Sequence, residues 1–128
     1  MSGREGCGLV SRRLSLSTAN LAIFTAVTAV LDGVDRRSAA LATVIARTGS
    51  APQVIGARLL LHDDGQLRGT VGGGAIEAQV LAACRAVLDD RLPRRIAAHL
   101  VRDLGMCCGG SMEVFIEHLE PPRAEAHA

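Results

Sequence analysis

The chain of 128 residues is long enough for one modest core and too short for two. Its apolar share is 48%, yet it contains no Trp, no Tyr and two Phe, so that core must be built from Leu, Ile, Val and Ala. The missing aromatics exclude a base-stacking platform for nucleic acid, and a net charge of +1 with scattered arginines excludes the basic block that DNA or an anionic membrane would need.

Residues 1–17 are rich in Gly, Ser and Arg and are expected to be flexible. The pair Arg12-Arg13 ahead of an apolar run has the outline of a twin-arginine export signal. The run from Ala19 to Leu31 is too short to span a bilayer, however, and ends in Asp32-Gly33 without a small-residue cleavage pattern. It reads as an ordinary buried helix over 19–31, with N-cap chemistry from Ser17-Thr18 and Gly33 closing it.

"LATVIART" (41–48) is an apolar, β-branched strand that stops at the loop signal Gly49-Ser50-Ala51-Pro52. "ARLLLHDDGQLRGTV" predicts two strands joined by a hairpin at Asp64-Gly65. A helix is expected from about Ala75, with Ile76, Val80, Ala83 and Val87 on one face. Pro93 introduces a strand over 94–101, and Ser111–Leu119 forms the last, with Met112, Val114 and Ile116 on one face and Glu113 and Glu117 on the other. The residues from 121 to 128 should fray. Together these elements predict one compact α+β domain over 18–120: a small mixed or antiparallel sheet with helices covering one face. Strand order does not follow from the pattern.

Two glycine-rich turns carry the chemical signals. In "RGTVGGGAIE" a strand ends and a helix starts. There Gly72, Gly73 and Gly74 can adopt positive φ, admit a ligand close to the backbone, and leave helix-start amides for an anion. The alternative is a tight turn with no ligand. Gly72-x-Gly74-x-x-Glu77 misses the dinucleotide fingerprint, because Glu77 stands where the third glycine belongs and would repel a pyrophosphate. Glu77 either orients a polar group or merely complements the helix dipole.

The second turn is "GMCCGGS", with Cys107, Cys108, Gly109 and Gly110 in succession. Adjacent cysteines suit structural zinc poorly, and His62, His99 and His118 could join them only by tertiary coincidence. Thiol redox or sulfur transfer by Cys107 and Cys108 is one reading. A transient soft contact from a thiolate to a bulky metal–sulfur group, admitted by the flanking glycines, is the other. Cys84 lies on the apolar helix face and reads as packing, and Cys7 has no evident role. Four cysteines at these spacings are no disulfide framework, which points to a reducing, cytoplasmic setting.

Taken together, "GSAPQVIGARLLLHDDGQLRGTVGGGAIE" and "DLGMCCGGSMEVFIE" resemble the XdhC/CoxI family over roughly residues 38–119. The resemblance implies an accessory protein, not an enzyme. It would bind molybdenum cofactor (molybdopterin) as cargo and promote its maturation and insertion into a xanthine dehydrogenase or CO dehydrogenase type hydroxylase. The implied partners are that hydroxylase's large subunit, a cysteine desulfurase, a separate Rossmann-like domain protein and a second copy of the chain. The family's recurrent cysteine maps onto Cys108, followed by Gly109 and Gly110, and its Gly-Gly-Gly-x-x-Glu element onto Gly72, Gly73, Gly74 and Glu77. Cys108 would make the transient contact to molybdenum, with Cys107 beside it. There are two departures. Gln53 stands where members often have Arg, which removes an anion contact. Many members also carry a C-terminal Rossmann-like domain that has no counterpart in this sequence.

Overall fold

A computed structural model describes residues 20–49, 54–99 and 110–123. A helix over residues 20–31 (α1) leads into strand β1 (Ala39–Thr48), β2 (Arg58–His62) and β3 (Leu67–Gly69). Helix α2 (Gly74–Asp90) follows, then β4 (Arg94–His99) and β5 (Ser111–Leu119). The five strands form one sheet in the order β3-β2-β1-β5-β4, every neighbour antiparallel. The expected α+β class and antiparallel sheet are therefore present, and each predicted strand is found within a few residues of its expected bounds.

The helices do not share one face as expected. Ala40, Ala42 and Val44 of β1 join Leu59, Leu61, Met112, Val114 and Ile116 in a cluster with Ile76, Val80, Cys84 and Val87 of α2. The alternate residues Ala39 and Leu41, with Leu60, pack instead against Ile23, Ala26 and Val27 of α1. The physical reason lies in the central strand. Ala39, Ala40, Leu41 and Ala42 are consecutive and all at least 93% buried. Since neighbouring side chains point to opposite faces, such a run requires cover on both sides. With three of the four being alanine, both helices can come close without aromatic spacers.

Local signals explain the boundaries. The hairpin between β2 and β3 closes through Gly65, whose amide donates to His62 O and whose φ is +94°. That is the three-residue form of hairpin, in which glycine takes the left-handed position. Arg91 caps α2 in the αL conformation, its amide donating to Val87 O at 2.7 Å, and Pro93 stands two residues further on.

The two ends of the sheet differ in chemistry. At one, Arg37 makes a bidentate pair with Asp35 and reaches Asp64 at 2.9 Å, tying the segment before β1 to the hairpin turn. The Arg37 contacts hold the Asp35 carboxyl far below the usual carboxylate range. At the other end lie the glycine turn before α2 and the described ends of β4 and β5, His99 and Ser111.

Candidate functional site

Antiparallel pairing decides which loops meet. β1 ends at Thr48 and β4 at His99, and the start of β5, Ser111, pairs with both. β3 ends at Gly69 beside Leu59, near the start of β2. The connections β1–β2, β3–α2 and β4–β5 consequently all leave the same end of the sheet. Gln79, in the second turn of α2, fastens the helix start to this end: its Nε2 donates to His99 O at 2.6 Å, and its Oε1 accepts from the His99 amide at 3.1 Å. The glycine turn before α2 and both roots of the cysteine-bearing segment thus share one rim.

Gly72, Gly73 and Gly74 all have positive φ, at +123°, +74° and +61°. Gly73, with ψ −178°, occupies a region open essentially only to glycine. A Cβ added at Gly73 or Gly74 would meet nothing within 4 Å, so their bare faces look outward.

Glu77 shapes this turn from within. Its Oε1 accepts the Thr70 hydroxyl at 2.6 Å and the amides of Val71 and Gly73, both at 3.1 Å. The Gly72 amide donates to Thr70 Oγ1 at 3.1 Å. Burial pushes the Glu77 carboxyl up, but these donors together outweigh it and hold the group below its ordinary value. The arrangement resembles a capping box displaced by one residue, with the acid reaching back to the N-cap amide. Three amides of the turn are therefore already engaged. Those of Gly74, Ala75 and Ile76 come next, at the start of α2, where the N-cap residue supplies no side-chain bond.

Cys107, Cys108 and Gly109 lie outside the described residues. Gly110 is described: it is buried immediately before β5. Gln53, Cys7 and Ser17-Thr18 also fall outside. Among the described residues no group of three His, Cys, Asp or Glu side chains is arranged to hold a metal ion. The three histidines among the described residues are dispersed. His99 closes β4 at the glycine-rich end, and His118 pairs with Ala40 near the end of β5. His62 is buried at the far end, its Nδ1 3.9 Å from Asp35, and burial lowers its pKa.

Cys84 is completely buried against the sheet, and burial pushes its thiol up to about 12. It should resist iodoacetamide at pH 8 in the folded protein and become labelled only in denaturant, as peptide mapping would show. Labelling at the native stage would contradict its packing role.

Sequence reasoning passed over Thr70, Gly69 and Gln79. The signal for Thr70 was there: a hydroxyl residue just before the glycines and an acid just after them is the composition of a reciprocal cap. Gln79 left none, since its partner is a backbone twenty residues away.

A family model described as "XdhC and CoxI family" matches residues 35–103, more than half of the chain. An Escherichia coli (strain K12) protein named "Uncharacterized protein YqeB" is 36% identical over an alignment of 81 residues that covers 60% of this chain and 15% of that protein. A solved structure described as a xanthine dehydrogenase from Bacillus halodurans superposes with a TM-score of 0.57 at 27% identity. The superposition covers 67% of this chain and 27% of that one. The chain therefore spans well under a third of either relative.

Proposed function

The chain belongs to the XdhC and CoxI family, and from that premise we propose that it is an accessory protein of a xanthine dehydrogenase type enzyme, binding molybdenum cofactor as cargo for insertion. The observation that carries this reading is the shared rim. The Gly72–Gly74 turn and the roots of the segment bearing Cys107 and Cys108 emerge at one end of the sheet, held together by Gln79 and His99.

The division of labour follows from the geometry of the turn. The cofactor's terminal phosphate suits the start of α2, where the amides of Gly74, Ala75 and Ile76 have no acceptor within the helix and the helix dipole favours an anion. Gly73 and Gly74 give that phosphate room, because neither presents a Cβ. Glu77 is a positioning residue on this reading: it holds the turn from behind, its carboxylate occupied by three donors of the turn itself. The Cys108 thiolate supplies the soft contact to molybdenum, and Gly109 and Gly110 keep its surroundings clear.

The test is Cys108→Ala, with molybdenum and oxidised pterin measured on the purified protein. Losing a direct ligand should lower molybdenum content by at least about tenfold, the scale seen even for outer-shell changes. Circular dichroism should stay unchanged. Undiminished molybdenum in the variant would overturn the assignment.

A further inference from the structure

Two polar side chains on the α1 face of the sheet are buried without partners. Arg68 pairs with Leu60, and His62 lies two residues along β2 from Leu60, so both share its face. Leu60 belongs to the cluster under α1. His62 is 1% exposed, and neither of its ring nitrogens has a hydrogen-bond partner among the described residues. Arg68 Nε is likewise buried without an acceptor. Folded proteins rarely leave such groups unmatched, and an unpaired guanidinium edge is among the costliest. The neighbouring carboxylates are already engaged. Asp35 takes Arg37 Nε at 3.0 Å on one oxygen and Nη2 at 2.7 Å on the other, while Arg37 Nη1 goes on to Asp64 at 2.9 Å. Asp35 Oδ2 stands 3.9 Å from His62 Nδ1, beyond hydrogen-bond reach.

Arg68 and Asp35 are the charged lining of a cavity of about 520 Å³ whose other wall is α1, including Ala22, Thr25, Ala26 and Ala29. We propose that this cavity binds a flat, apolar monocarboxylate, its carboxylate taken by the Arg68 guanidinium and its body laid along the alanine side of α1. The inference is independent of the carrier reading, since α2 and its core lie on the other face of the sheet. Three features select that chemistry. First, a guanidinium is a planar fork of donors that matches a carboxylate in a bidentate pair, and the orphaned Nε is one arm of that fork. Second, Ala22, Ala26 and Ala29 recur at spacings of four and three. Their methyls therefore lie along one side of the helix and leave a shallow slot free of side-chain bulk. Third, Arg37 holds the Asp35 carboxyl ionised, far below the usual carboxylate range. A dianion such as phosphate meets repulsion there and leaves the alanine wall uncovered. The cavity's size is that of a small-molecule site.

Cinnamate serves as the probe. In an amide NMR titration of the whole chain it should shift the signals of Ala22, Thr25, Ala26, Ala29 and Arg68, with half-saturation on the order of 0.3 mM. Cinnamyl alcohol keeps the body without the charge, and inorganic phosphate keeps the charge without the body. Each should bind at least about tenfold more weakly. Arg68→Gln should weaken cinnamate binding about tenfold, and Arg68→Lys, which retains the charge but loses the planar fork, about fivefold. Both should give the wild-type circular dichroism; if either fails to fold, the wild-type titration and its two controls still decide. An absence of shifts at about 10 mM cinnamate would overturn the proposal and leave Arg68 and His62 to water. So would equal binding of the alcohol, tighter binding of phosphate, shifts centred on Gly72–Gly74 instead of α1, or an Arg68→Gln variant that binds cinnamate as tightly as wild type.

Discussion

Glu77→Ala is expected to cost the fold about 2 kcal/mol at pH 7, the scale of removing a charged acceptor that serves three donors, two of them partly buried. The loss is concentrated in the turn: the amides of Val71 and Gly73 and the Thr70 hydroxyl all donate to the same Oε1. Glu77→Gln keeps an acceptor oxygen but not the charge, and should lose about half as much. The difference between wild type and Glu77→Gln carries a pH signature. Because the folded group titrates below the ordinary 4.5, its contribution is complete above that value and disappears as pH falls through the lower, folded one. Urea unfolding at pH 7 and again near the acid limit of stability should show the gap closing. A gap independent of pH would mean that the carboxylate's charge does not organise the turn. Under the carrier reading both variants should also retain less cofactor, since the helix-start amides lose their fixed direction.

That result bears on how the sequence encodes this end of the molecule. The period-2 pattern of Met112, Val114 and Ile116 and the helical spacing of Ile76, Val80 and Val87 are local, and both faces are buried as the pattern required. The placement of the helices was not legible in the same way. A run such as Ala39–Ala42 shows that a strand is covered on both sides, but not which helix covers which. α1 was read as an ordinary buried helix because an uncharged apolar run is what burial selects; half of that stripe is exposed. The glycine turn was identified by composition, whereas the job of Glu77 was not. A carboxylate four residues into a glycine-led helix can serve a ligand, a dipole or its own loop. Only the distances to Val71 and Gly73 distinguish these.

The largest effect on stability is expected from Gly69→Ala, at the last position of β3. Gly69 has φ +79°, and a Cβ there would be driven into the backbone carbonyl oxygen of Arg58 and to 3.0 Å from Ile23 Cδ1. The carbonyl belongs to a paired strand and cannot swing aside, so relief requires β3 to separate from β2 or α1 to lift. Backbone strain and overpacking together should cost about 3–4 kcal/mol and lower the melting temperature by roughly 10 °C. Gly74→Ala is the matched control. It too has positive φ, at +61°, but its added methyl meets nothing within 4 Å, so only the conformational cost of about 1 kcal/mol applies. Thermal unfolding of the two variants separates steric from conformational demand. Equal losses would mean that the Arg58 carbonyl yields, and that Gly69 is retained for its φ alone. The pair also separates folding from cargo binding. On the carrier reading, the methyl that Gly74→Ala sets into the open side of the turn should lower pterin retention while the protein stays folded. Glycine is thus demanded at 69 by the neighbouring strand and, on the carrier reading, at 74 by the cargo that approaches from solvent.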